Sequence, residues 1–310
     1  MKTEFEFKTL VEFTDYFCDE ETCVKHYTEI RFGSGEYCPH CGHTEIYTFK
    51  DGKRYRCAKC KQDFTIKTGT VFGESKLPLR KWFIAIYLLS TTSKGMSSVQ
   101  VAKHVGVTQK TAWFMAHRIR EAHKQNKGQL FGTIEADETF IGGLSKNMHK
   151  SKRETTIKGT GGADKTPIFG MKSRAGEIRA KVVPSVGKVD LHNEIKNTIA
   201  LGATLYTDMN IVYRGLTAQF NHMMVDHRAK EYVNGDCHTN GIESFWALFK
   251  RGYHGVYHHM SRKHMQRYVN EFTFRFNHRA NKMQYVFSDV VARVANSAQL
   301  PYKTLIQKTV

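Results

Sequence analysis

Two kinds of side chain in this chain are spaced for metal chemistry, cysteines and carboxylates. Cys38-Pro-His-Cys41 and Cys57-Ala-Lys-Cys60 form a C-x2-C-x15-C-x2-C pattern. Each C-x2-C turn offers two adjacent thiolates, and four thiolates suit the tetrahedron of one structural zinc ion. His40 and His43 stand beside the pattern as ordinary surface histidines, and Cys18, Cys23 and Cys237 fall outside it. The carboxylates are Asp137, Asp208 and Glu243. Oxygen ligands suit Mg²⁺ or Mn²⁺. Two such ions about 4 Å apart can activate an attacking oxygen and stabilise a leaving one. Spacing alone does not separate these three acids from the 29 Asp and Glu of the chain. The elements that must carry them do more.

Phe131 to Phe140 alternates as a strand, with Ile134 and Ala136 on one face and Thr133, Glu135 and Asp137 on the other. It runs into Gly142-Gly143, so Asp137 can stand at the open face of a sheet. Ile178 to Pro184 reads as a second strand and Ala203 to Asp208 as a third, which closes on an acid again. Ile211 to Phe220 has helical character. Glu243 differs in kind, because it lies on a predicted helix capped by Thr239 or Asn240, with Ile242, Phe245 and Phe249 as the buried stripe. Lys250 follows seven residues later, two helical turns on, and so shares a face with Glu243.

The cysteine region, residues 36–72, reads as a zinc ribbon. Ile46–Phe49 and Lys53–Arg56 are strands joined around Asp51-Gly52, a strong hairpin signal, and Gln62–Ile66 is a third strand. Residues 1–35 read as a helical lead-in. Residues 76–125 read as helices. Leu79–Leu89 is apolar enough to be buried, and Val101, Ala102 and Val105 form the stripe of the next helix. Gly106 ends that helix and Thr108 caps another. The last helix of the set directs Ala112, Met115, Ala116 and Ile119 inward, and Gln109, Lys110, His117, Arg118 and Arg120 outward. This is a helix-turn-helix pattern, whose second helix enters a major groove of DNA.

The 310 residues hold 47 Lys and Arg, a formal charge of +18, and this points to a polyanionic partner such as DNA. No apolar run is long enough for a spanning helix, and the N-terminus has no signal-peptide pattern, so a cytoplasmic, nucleoid-associated protein is expected. Leu144 to Lys165 carries six Lys and Arg, among them Lys146, Lys150, Lys152 and Arg153, with almost no apolar content. It reads as a mobile loop, either merely solvated or a basic arm on DNA. Arg251, Arg262, Lys263 and Arg267 lie in a second basic stretch, interleaved with aromatic residues, where Tyr268, Val269, Phe272 and Phe276 fit a packed stripe.

The segments IEADETFIGG, LYTDMNIVYRGL and HTNGIESFWALFKRGYHGVYHHMSRKHMQRYVNEFTFRFNHR resemble the bacterial insertion-sequence transposases of the DDE type related to the eukaryotic Merlin elements. The resemblance covers residues 36–280 and keeps the motifs in order. It implies an α/β chain in which a zinc ribbon and a helix-turn-helix precede a ribonuclease H-like mixed-sheet catalytic domain. That domain is placed at residues 128–290 and followed by a polar tail, 291–310. It also implies that Asp137, Asp208 and Glu243 are the catalytic acids, with two Mg²⁺ or Mn²⁺ ions. Asp137 would bridge both ions, Asp208 hold one and Glu243 the other, with Lys250 placing a phosphate. The implied partners are double-stranded DNA, as inverted-repeat ends and as target, and further copies of the chain, at least a dimer. Two other readings use the same features: a structure-specific nuclease or junction resolvase, and a transcription regulator built on the ribbon and helix-turn-helix alone.

Overall fold

The computed structural model describes residues 6–124, 128–143, 147–157, 164–226, 229 and 233–307. The chain divides into two compact units, residues 1–123 with 280–310, and residues 124–279. The first unit opens with α1 (Leu10–Tyr16) and α2 (Glu20–Phe32). Each begins on a side-chain cap, where Thr9 accepts from the Glu12 amide and Asp19 from the Thr22 amide. The ribbon follows as an antiparallel sheet, β1 (Ile46–Thr48), β2 (Arg54–Cys57) and β3 (Asp63–Thr65). Gly52 takes the left-handed conformation that the predicted hairpin requires, at φ 62°. Arg31 of α2 ties down the end of the ribbon by donating to the carbonyls of Ile66 and Thr68.

Helix α3 (Leu79–Thr91) is buried along most of its length, as its composition demands. Pro78 precedes it and has no side-chain cap to give. Glu20 of α2 supplies one instead, accepting from the amides of Leu79 and Arg80 at 2.7 and 2.9 Å. Helix α4 (Ser98–Val105) starts on a capping box between Ser97 and Gln100 and ends at left-handed Gly106. Helix α5 (Gln109–Ala122) is capped by Thr108. The predicted helix, glycine turn and capped helix are all present.

The second unit is built on one five-stranded sheet. Its elements are β4 (Thr133–Ile141), α6 (Lys150–Thr156), β5 (Thr166–Ser173), β6 (Ile178–Val182), α7 (Lys188–Thr198), β7 (Thr204–Asp208), β8 (Asn221–Val225), α8 (Asn240–Gly252) and α9 (Met265–Asn277). The strand order is β6-β5-β4-β7-β8. β4, β5 and β6 form an antiparallel meander, whereas β7 and β8 add parallel to β4. A parallel return needs a crossover, and α7 provides it. Leu191 and Ile195 of α7 cover one face against Ile134, Ala136 and Leu205. Helices α8 and α9 cover the other, with Phe245, Trp246, Phe249 and Phe272 packed against Ile141, Ile168 and Ala180. A mixed sheet with helices on both faces agrees with the ribonuclease H-like domain expected from the sequence.

The chain then returns to the first unit as α10 (Met283–Asn296) and α11 (Tyr302–Ile306). This corrects the expected boundary at 290 and the expected polar tail. Val286, Phe287, Val290, Val291 and Val294 repeat at helical spacing and are buried. The Phe287 ring lies 5.1–5.8 Å from those of Phe7, Phe13, Phe17 and Phe83. Two local expectations also change. Residues 150–156, read as loop, form α6, because Lys, Arg and Glu favour a helix even without an apolar stripe. Residues 211–220, read as helical, give one 3-10 turn, Ile211–Tyr213, and then further turns. Among the described residues no helix is long and apolar enough to cross a membrane.

Candidate active site and metal centre

The four cysteines meet as predicted. Cys38 Sγ lies 3.7 Å from Cys60 Sγ, and Cys41 Sγ lies 3.6 Å from Cys57 Sγ. All four sulfurs fall within 4.8 Å of one another. Zinc–sulfur bonds of about 2.3 Å make a tetrahedron with edges of about 3.8 Å, so this donor set fits one zinc ion. Left-handed Gly42 makes the knuckle turn, and its amide donates to the carbonyl of Cys38 at 2.8 Å. The arginines of the ribbon are partly neutralised, Arg54 by Asp51 at 2.7 Å and Arg56 by Asp63 at 2.6 Å.

The acids are assembled by register and by helix docking. β4 and β7 pair in parallel from Thr133↔Thr204 to Glu135↔Tyr206. Two residues further along each strand come Asp137 and Asp208, level with each other where the pairing ends. Side chains alternate along a strand, so both point to the face covered by α8. Helix α8 carries Glu243 and Lys250, both exposed, while Ile242, Phe245, Trp246 and Phe249 hold the helix to the sheet. The seat is close. Gly170 is the partner of Asp137 across β4 and β5, and a Cβ there would lie 2.5 Å from Trp246 Cζ2.

Burial pushes the Asp137 carboxyl up to about 7, and the negative charges of Glu138, Asp208 and Glu243 push in the same direction. A half-buried carboxylate raised by three neighbouring acids is an environment that a cation relieves, and the donors are the hard oxygens that Mg²⁺ or Mn²⁺ takes. The three acids thus come together in one field. Among the described residues, only the sulfurs and not these oxygens are gathered within 4.8 Å of one another. The Glu243 carboxylate accepts from the Thr239 hydroxyl at 2.7 Å, and Asp208 Oδ1 accepts from the Asn210 amide at 3.0 Å.

Sequence reasoning passed over the residues that buttress these acids. Glu138 points to the opposite face of β4, where Tyr213 Oη and Asn210 Nδ2 both donate to it. Asn210 therefore touches Asp208 through its backbone and Glu138 through its side chain. Burial raises the Glu138 carboxyl, and those two hydrogen bonds oppose the shift. Alternation in the strand separates Glu138 from Asp137, but nothing in the local sequence names its partners.

The residues expected to meet DNA differ in their exposure. Gln109 and Lys110 are exposed in the first turn of α5, although Gln109 also donates to Ser98 Oγ at 2.8 Å. Every residue from Met115 to Arg120 is buried. His117, Arg118 and Arg120, expected to face outward, are therefore corrected to interior positions. Arg118 shows the reason. Its guanidinium donates to the carbonyls of Val71, Gly73 and Leu300 at 2.7, 3.0 and 3.0 Å and lies over the Phe114 ring. It is a staple of the first unit. Lys150, Arg153, Arg251 and Arg262 are exposed. Lys263 and Arg267 are half-buried, with Arg267 Nη1 2.8 Å from His264 Nδ1. Lys146 and the side chain of Lys152 lie outside the described residues.

Comparison with known proteins adds three findings. Residues 129–277 match the family model of the ISXO2-like transposase domain, and residues 18–63 match that of the transposase zinc-ribbon domain. The chain is 30% identical over 250 residues to an uncharacterized protein in transposable element ISH50 of Halobacterium salinarum, covering 76% of this chain and 83% of that protein. No solved structure matches the chain.

Proposed function

The chain belongs to the ISXO2-like transposases, and from that premise we propose that it binds the inverted-repeat ends of its own element, cuts the DNA there and joins the freed 3′-hydroxyl to target DNA. The observation that carries this reading is the convergence of Asp137, Asp208 and Glu243 on one face of the mixed sheet. These three side chains would hold two divalent cations, which when bound supply a nucleophilic water and stabilise the leaving oxygen. The chain itself positions the DNA. Lys250 shares the exposed face of α8 with Glu243 and binds a phosphate beside the one that is cut. Gln109 and Lys110 enter the major groove, and Lys150, Arg153, Arg251, Arg262, Lys263 and Arg267 meet the backbone. Holding two ends together requires at least two copies of the chain. The reaction takes place with the DNA of the cytoplasm.

A supercoiled plasmid carrying the DNA that flanks the gene tests this in Mg²⁺. Asp137→Asn is expected to abolish cleavage while leaving end binding, read by mobility shift, unchanged. Cutting by Asp137→Asn at the parental rate would refute the assignment. Cutting without joining, and without preference for a repeat, would favour a structure-specific nuclease.

A further inference from the structure

The geometry points to Glu135 as a positioning residue that fixes the helix bearing Glu243 over the sheet, with Gly241 as the gap that admits it. This rests on reading Asp137, Asp208 and Glu243 as the active-site carboxylates. Glu135 is 1% exposed and lies on the same face of β4 as Asp137. An acid at such a depth costs stability unless it is partnered. Its partners belong to the start of α8 and to the segment leading into it. Glu135 Oε2 accepts from the Ile242 amide at 2.8 Å. Glu135 Oε1 lies 2.8 Å from Arg174 Nε and 3.7 Å from His238 Nδ1. Arg174 in turn donates to the carbonyls of Asp236 and His238 at 3.1 and 3.5 Å. One ion pair thus grips both the first turn of α8 and the chain entering it.

Helix α8 relies on this distant cap because its own cap residue is used elsewhere. Thr239 occupies the cap position but makes no cap bond with its side chain, and its hydroxyl donates to Glu243. Glu135 meets the Ile242 amide in its place. Gly241 makes the approach possible. A Cβ at this position would lie 2.6 and 3.0 Å from the two Glu135 oxygens and 2.5 Å from Lys172 Nζ. A side chain here must displace the carboxylate, the Lys172 ammonium or the first turn of α8 itself. Glu243 follows Ile242 directly, so a shift of the first turn moves the third acid itself.

The test uses the full chain with Glu135→Ala, Glu135→Gln and Gly241→Ala beside Asp137→Asn. Mn²⁺ binding is read by electron paramagnetic resonance titration, and single-turnover cleavage is read on the plasmid carrying the flanking DNA. Glu135→Ala is expected to weaken Mn²⁺ binding about tenfold. It should slow cleavage about 100-fold, with end affinity unchanged. Glu135→Gln keeps an acceptor for the Ile242 amide and should recover most of both. Alanine is the better helix former, so Gly241→Ala would strengthen α8 if the helix mattered only as a helix. It is expected instead to reproduce Glu135→Ala. Parental Mn²⁺ affinity and rate in both Glu135→Ala and Gly241→Ala, with Asp137→Asn inactive, would overturn the positioning role alone. Parental Mn²⁺ binding and cleavage by Asp137→Asn would overturn the carboxylate reading and this inference with it. If Glu135→Ala proves unfolded by circular dichroism while Glu135→Gln and Gly241→Ala behave as the parent, Glu135 serves only folding and the inference also falls.

Discussion

Replacing Gly170 by alanine should separate the sheet from the helix above it. Gly170 lies in the middle of β5, where alanine would by itself favour the strand by about 0.5–1 kcal/mol. The new methyl would stand 2.5 Å from Trp246 Cζ2, 2.8 Å from Cη2 and 3.0 Å from Ile242 Cδ1. Carbon atoms in good contact are about 3.5–4.0 Å apart, so roughly 1 Å must be found. Trp246 is 3% exposed and packed by Phe245, so its ring has little freedom to turn aside. Overpacking of this severity costs about 2–3 kcal/mol, the upper part of the usual range. The net expectation is a loss of about 1–2.5 kcal/mol. In a unit of this size that lowers the midpoint of thermal unfolding by about 2–10 °C. If α8 lifts to absorb the clash, Glu243 moves away from Asp137, and a displacement near 1 Å can slow the chemistry about 100-fold. Calorimetry gives the first quantity and single-turnover plasmid cleavage the second. An unchanged or raised midpoint together with parental cleavage would refute the close-seat argument.

Four other outcomes are expected. The purified chain should carry one zinc ion by elemental mass spectrometry, and Cys57→Ser should lose it, together with amide protection over residues 46–65, while α8 and α9 stay protected. Arg118→Met should destabilise the first unit by about 2–4 kcal/mol in urea, because three buried carbonyls lose a charged donor. Lys110→Ala, by contrast, should change stability by no more than about 0.5 kcal/mol and reduce the salt dependence of end binding by about one unit of slope. Burial holds the His26 imidazole down at about 4, from a usual value of 6.5. Above pH 6.5 the group is neutral in both folded and unfolded chains. Below it the unfolded chain takes the proton first, so stability should fall between about pH 6.5 and 4, by at most about 3 kcal/mol, and His26→Leu should flatten that part of the profile.

The features legible in the sequence are those fixed by local rules. The C-x2-C pairs, the hairpin at Asp51-Gly52, the turn at Gly106 and the cap at Thr108 each need only a few neighbouring residues, and all formed as read. Strand alternation likewise put Asp137 on one face, and helical spacing put Glu243 and Lys250 on another element's exposed face. What was not legible depends on partners far along the chain. The helical wheel of α5 turns Arg118 outward, yet one of its acceptors is Leu300, 182 positions away. Glu135 alternates onto the Asp137 face, but its bond to the Ile242 amide spans 107 positions and leaves no local trace. Residues 280–310 looked polar beyond 290, yet their apolar stripe completes an aromatic cluster begun at Phe7.

The two units solve one problem in the same way. Helix α3 follows Pro78, whose side chain cannot cap, and Glu20 from α2 takes the first-turn amides. Helix α8 follows Thr239, whose hydroxyl is turned to Glu243, and Glu135 from β4 takes the Ile242 amide. In the first case the borrowed cap joins two helices of a core. In the second it joins the helix that bears Glu243 to the strand that bears Asp137. The consequence is an unequal stiffness among the three acids. Asp137 and Asp208 are spaced by a hydrogen-bonded ladder, which cannot shift without breaking the sheet. Glu243 is spaced by a docked helix, which can shift by losing one close contact at Gly170 or one cap at Glu135. Damage to the seat of α8 should therefore remove catalysis while the sheet still folds, whereas damage to the β4–β7 ladder should remove both together.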